Sequence, residues 1–377
     1  MTSVPFRSRG ELGRASVSRN RALANVAGSF VIAVLAAYVV VYLLRLDVIP
    51  VDFHVYRQAA EEVARGDSPY PWFAYPPLSA LGAVPFTVLS TAAADFAVKA
   101  LLILCVLAIL AVLDVRDWRC YPMALLWPAV SAAVQTGNIT IPLALAAAVV
   151  WRVRERPFLA GLSLGASVAA KFLFWPLWVW LVAVGRCGAA VWSIAASVAV
   201  TLATWAIVDF GALFGYPDRL RQLNDDTTGT GYTLGTFAQD LGAGATTAQA
   251  LTAGLAISLL AAVIISGRRG NEMRSFVLAI GAVLACSPIL WLHYFAILLV
   301  PVAVVRPRLG AIWFVPLAMW GFGAGTGNGS TASTAVVLAV VFLTLALAVR
   351  EARPGPQGSG TAAEGDQPSL LATVGRS

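Results

Sequence analysis

The sequence predicts an all-α protein that crosses a membrane many times, and two observations predict it. Of 377 residues, 59% are hydrophobic and only 12% charged, with a mean hydropathy of +0.78, whereas soluble domains carry roughly 25% charged residues. The apolar residues also fall in long continuous runs, at 25–46, 94–113, 191–208, 251–265 and 335–349. Such runs have the length and polarity of helices crossing a hydrocarbon core of roughly 30 Å. Continuous rather than alternating apolar residues exclude a β-barrel. The net charge of +7 comes from arginines clustered in short turns between the runs, so it reports topology and not a nucleic-acid surface.

Residues 1–22 carry Arg7, Arg9, Arg14, Arg19 and Arg21 and are expected to form a disordered cytoplasmic tail. The run that follows is long and lacks a small-residue cleavage site, which makes it an uncleaved first helix. With the basic side inside, residues 47–75 form a first outer loop of acidic balance. Within it, residues 54–65 place Tyr56, Ala59, Ala60 and Val63 on one helical face, predicting a helix that lies flat on the membrane. Residues 76–90 are expected to flank or re-enter the membrane. The apolar stretches 121–134, 139–151, 158–170 and 172–185 are short for independent spans and persist only where protein or a cavity covers their ends. A polar cavity open to the outer face accounts for them. Residues 209–246, rich in Gly, Thr and Asp, form a second outer loop. About twelve crossings then fill residues 23–350, with both termini cytoplasmic, and residues 351–377 form a disordered tail. The expected location is the plasma membrane.

Ionisable groups at a membrane edge are functional candidates by default. Asp52 stands between Val51 and Phe53, where partial desolvation suits a general base. The plainer alternative is a solvated loop carboxylate or a helix N-cap. Lys171 is one of only two lysines and sits between Ala170 and Phe172. It either meets an anion, for which a phosphate is apt, or snorkels to the surface. His293 falls at the same boundary and is either a functional group there or a satisfied core histidine. His54, the other histidine, lies on the same outer side. Lys99 pairs with Asp95 or snorkels. Gln135 and Asn138 frame a polar break that faces sugar hydroxyls or simply turns the chain, and Trp72, Phe73 and Tyr75 either stack on sugars or form an interfacial belt. Residues 227–232 have the composition of a flexible loop and lack a phosphate-loop lysine. The four cysteines, at 105, 120, 187 and 286, show no disulfide or CxxC pattern. No zinc-ligand spacing occurs; no cofactor is called for, and the scattered acids are compatible with a weakly held Mg²⁺.

Several segments taken in series resemble glycosyltransferase family 87, polyprenyl-phosphate-sugar-dependent enzymes of the GT-C fold. They are Asp52-Phe53-His54-Val55-Tyr56, Gly66 to Tyr70, Phe73-Ala74-Tyr75-Pro76-Pro77, Gln135-Thr136-Gly137-Asn138, Ala160 to Gly165 followed by Lys171, and Ser287 to Tyr294. The resemblance implies a GT-C catalytic domain over 23–350, with Asp52 as catalytic base and Lys171 and His293 at the donor phosphate. His54, Tyr56, Tyr75, Gln135, Asn138, Trp291 and Tyr232 are the implied substrate-side candidates. It further implies inverting transfer of mannose from polyprenyl phosphate to a lipid-linked glycan or glycolipid, as in phosphatidylinositol-mannoside mannosyltransferases, among membrane lipids and without nucleic acid. An arabinofuranosyl donor is the alternative within the family, and a lipid or sugar transporter or flippase the alternative outside it. Transporters tend to repeat their halves, whereas the polar residues here gather at one face. Two departures stand out: Gly231 to Gly235 replaces an Asn-Gln-Ser element common in the family, and Leu292 replaces a polar residue before the histidine.

Overall fold

The computed structural model describes residues 9–45, 47–226, 230–322 and 330–352. The chain begins with α1 (Arg9–Leu43), α2 (Val51–Arg65), α3 (Pro77–Ala83), α4 (Thr91–Val112), α5 (Cys120–Leu125), α6 (Pro128–Thr136), α7 (Thr140–Arg152) and α8 (Pro157–Ala170). It continues with α9 (Pro176–Ala183), α10 (Cys187–Val208), α11 (Ala212–Asp226), α12 (Leu234–Asp240), α13 (Ala245–Arg268), α14 (Glu272–Ala285), α15 (Leu299–Val305) and α16 (Thr331–Glu351). A tight 3₁₀ segment, Leu292–Leu298, leads into α15. No strand occurs among the described residues, and the protein is an all-α membrane protein.

Among the described residues, five helices are long and apolar enough to cross a membrane: the 26–43 part of α1, then α4, α10, α13 and α16. They coincide with the five long apolar runs of the sequence. Between them lie shorter helices of which α7, α8 and α14 have 13, 14 and 14 residues. At 1.5 Å per residue these are about 20 Å long, whereas the 22 and 24 residues of α10 and α13 reach about 33–36 Å. These three short helices each have one end at a common basic pole. There Arg154 and Arg186 both pair with Glu272, at 3.1 and 2.9 Å, and Arg186 also holds Glu155 at 2.6 Å. Their other ends therefore stop short of the level reached by the long helices, and the candidate site lies in that recess. Proline opens α3, α6, α8 and α9 at the first turn, where its missing N–H costs nothing.

Several boundaries depart from those the sequence predicts. α2 starts at Val51 rather than 54, so Asp52 lies in its first turn and not in a loop. The apolar face of α2 does not await a lipid surface: Tyr56, Ala59 and Ala60 bury against Phe73 and against Ala80 and Ala83 of α3. The 121–134 stretch breaks at Trp127, because Pro128 starts a new helix, α6. In the 209–246 loop two helices form, α11 and α12; Tyr216 donates to the Ala74 carbonyl at 3.0 Å and Ser68 to Asp209 at 2.6 Å, tying this region to residues 66–76. α1 begins at Arg9, inside the expected tail. The expected tails at 1–8 and beyond 352 and residues 227–229 of the expected flexible loop lie outside the described residues.

Candidate active site

Asp52 owes its surroundings to one glycine. α6 ends on Gly137 with φ of +69°, a left-handed conformation that glycine adopts freely. A Cβ there would sit 2.5 Å from the Phe53 Cβ, so no larger residue lets α6 approach α2 this closely. The next residue, Asn138, is thereby delivered to Asp52. Its Oδ1 accepts from the backbone N–H of Thr140 at 2.8 Å and from the Thr140 hydroxyl at 2.5 Å. With the oxygen so occupied, its Nδ2 points the other way and donates to Asp52 Oδ2 at 2.9 Å.

From the other side, α4 fixes the chain that leads into α2. Lys99 Nζ donates to the carbonyls of Arg45 and Val48 at 2.8 and 2.5 Å. One turn earlier on the same helix, the Asp95 carboxylate accepts from His54 Nε2 at 2.8 Å. Lys99 thus pairs with backbone carbonyls rather than with Asp95, which is taken by His54. His54 consequently faces α4 and does not join Asp52.

Three further groups converge on the carboxylate. His293 Nε2 lies 4.0 Å from Asp52 Oδ2 and, though buried, has no hydrogen-bond partner among the described residues. Lys171 follows the end of α8 in extended conformation; its Nζ donates to the Tyr294 hydroxyl at 2.5 Å and lies 3.9 Å and 5.4 Å from the ring centres of Tyr294 and Tyr75. No carboxylate comes within 4.0 Å of it among the described residues. Tyr75 meets Tyr56 edge to face at 4.9 Å. Burial raises both phenols well above the ordinary range, which keeps them as neutral hydroxyls.

The Asp52 side chain keeps 24% of its surface exposed. Burial raises its pKa, against the opposing pull of the Asn138 amide, the Thr136 hydroxyl and the Lys171 charge. The Thr136 hydroxyl acts from nearby without completing a hydrogen bond. An orphaned buried nitrogen such as that of His293 costs about 1–3 kcal/mol, and a cation without a counter-ion is likewise incomplete. Chemically, the group joins a proton acceptor, a polar donor set and a cation awaiting an anion.

The other sequence candidates fall outside this cluster. Gln135 is half-buried one residue before Thr136. Tyr232 is buried, donates its N–H to the Leu290 carbonyl at 2.7 Å and supports the segment that carries His293 from beneath. Gly231 there, at φ of +86°, brings its backbone so near Leu290 that a Cβ would stand 2.5 Å from that carbonyl. Trp291 is half-buried against the core. Phe73 is wholly buried, and Trp72 gives its indole N–H to Glu62 at 3.1 Å. Sequence reasoning assigned no role to Tyr294 or Thr136; the only signal for either was its place beside His293 or Asn138.

No curated protein and no solved structure matches this chain. The model of glycosyltransferase family 87 matches residues 73–288. That stretch contains Tyr75, Asn138 and Lys171, starts after Asp52 and ends before His293. Because it covers more than half of the 377 residues, the chain belongs to glycosyltransferase family 87 and is a glycosyltransferase.

Proposed function

We propose that the protein is an inverting mannosyltransferase that moves mannose from polyprenyl phosphate to a lipid-linked glycan or glycolipid on the outer face of the plasma membrane. The domain is a GT-C domain over residues 23–350, with about twelve crossings and both termini cytoplasmic. The reading rests on one observation above the others: Asp52 stands 4.0 Å from His293 Nε2, which has no hydrogen-bond partner among the described residues, and within the field of Lys171, which has no carboxylate within 4.0 Å among them. In the reaction the acceptor hydroxyl oxygen bonds to the anomeric carbon while the carbon–oxygen bond to phosphate breaks. The hydroxyl proton passes to Asp52, and the departing electron pair stays on the polyprenyl phosphate, stabilised by Lys171 and His293. Tyr75 and Tyr294 hold the lysine, and Asn138 holds the carboxylate. Single displacement from the opposite side inverts the configuration.

Membranes bearing the wild-type chain should transfer radiolabelled mannose from polyprenyl-phosphate mannose. Asp52→Asn should lower the rate by roughly 10²–10⁴, the span of general-base catalysis. Unchanged transfer in that variant removes the base assignment. Transfer from the arabinofuranosyl donor in place of the mannosyl one replaces the sugar, and absence of both removes the reading.

A further inference from the structure

A second chamber shares none of the key residues of the Asp52 cluster. Its volume is about 450 Å³, within the roughly 300–1,000 Å³ of small-molecule sites. Thr233, Thr236, Gln239, Gln249, Thr252 and Ser287 supply hydroxyls and amides to its walls, and Trp175 supplies an aromatic ring. No Asp, Glu, Lys, Arg or His lines it among the described residues. Walls of this kind match a neutral polyhydroxyl compound: the Gln239 and Gln249 amides donate and accept, the hydroxyls, whose protons go to the Thr230, Ala248 and Ile289 carbonyls and within the Thr233–Thr236 pair, still accept, an indole face covers sugar C–H groups, and a phosphate would find no counter-charge. Thr233, Thr252 and Ser287 also border a narrower slot, whose remaining walls are mostly apolar, among them Leu259, Phe295 and Leu345. That slot runs between α13 and α16, two of the helices long and apolar enough to cross a membrane. The polar chamber and the apolar slot thus form one amphipathic site.

Two chain segments join this site to the cluster. Trp175 comes four residues after Lys171, and Ser287 six before His293. Lys171, the cation that a donor phosphate needs, does not line the chamber, whose walls carry no charged side chain among the described residues. We propose that the chamber is the acceptor site, holding an uncharged sugar whose hydrocarbon chain leaves by way of the slot, which at about 50 Å³ takes only its first carbons. This rests on the glycosyltransferase reading with a lipid-phosphate donor.

The test uses the full chain in lipid nanodiscs and, as probe, an octyl α-D-mannoside carrying a diazirine in its chain. Adducts are expected on peptides from α12, α13 and the 284–290 turn. Excess unlabelled octyl mannoside should suppress them, and polyprenyl phosphate should not. Ala253 lines the chamber from α13, and Ala253→Trp, which fills it, should weaken labelling roughly tenfold. Adducts confined to other peptides in the wild type, competition by polyprenyl phosphate, or full labelling of a folded Ala253→Trp variant each overturn the proposal. Chamber labelling in a protein that transfers no lipid-linked sugar leaves this site standing and removes the proposed reaction; sugar transfer without chamber labelling does the reverse.

Discussion

Asp52 sits at a balance between burial, which raises its pKa, and three neighbours that lower it. A base must be ionised to accept a proton, so the rate should rise with pH through a pKa above the usual carboxylate value of about 4. Asn138→Ala removes a donor that favours the ionised form. The acidic limb of kcat/KM against pH should therefore move to higher pH, with activity recovering at the alkaline end; a limb that stays in place or moves down refutes the balance. The sequence made Asp52 legible because a carboxylate between Val51 and Phe53 is unusual. It also offered Asn138, but not the reason Asn138 matters: the left-handed Gly137 that delivers it and the Thr140 bonds that turn its amide toward the acid. Those depend on contacts across α2 and α6, which no local pattern encodes.

Two helix contacts hold these residues in place. α8, which ends at Lys171, packs on α10 through Gly161 and Gly165, where added Cβ atoms would stand 2.4 and 2.5 Å from the Cβ atoms of Trp192 and Ala196. The spacing of four is the small-residue pattern that lets membrane helices touch. Gly161→Val should force them apart, costing about 1–3 kcal/mol as overpacking does and raising the donor KM as Lys171 moves; a lowered thermal midpoint with an unchanged donor KM separates stability from positioning. α4 acts on the other side through Lys99. Lys99→Met leaves the Arg45 and Val48 carbonyls without their donor, so kcat should fall about tenfold if α2 shifts the Asp52 carboxylate by a fraction of an ångström. Lys99→Arg should restore much of it, whereas equal losses in both variants argue against a positioning role. The long helices were legible from continuous apolar runs, and the short ones from their length. The break at Pro128 and the two helices inside the polar 209–246 loop were not, since tertiary packing of Tyr216 and Ser68 on neighbouring chain orders that loop.

Across the whole molecule the charges divide by pole. The arginines of the 152–156 and 186 turns gather with Glu155 and Glu272 at one end, and Asp52, Asn138, Lys171 and His293 gather at the other. α10 measures the separation directly, because it begins at Cys187 beside Arg186 and ends at Val208, next to the Asp209 that holds Ser68. Its 22 residues make about 33 Å, one hydrocarbon thickness. If the basic pole is cytoplasmic, as an excess of arginine in short turns dictates, the exposed Cys187 faces the cell interior and Ser68 the exterior. In intact cells a membrane-impermeant maleimide should therefore label Ser68→Cys in a background lacking the other cysteines, while a chain retaining only Cys187 should react only after permeabilisation. The reverse pattern would put the Asp52 recess on the cytoplasmic side, and would remove an outer-face reaction while leaving the geometry of the cluster untouched.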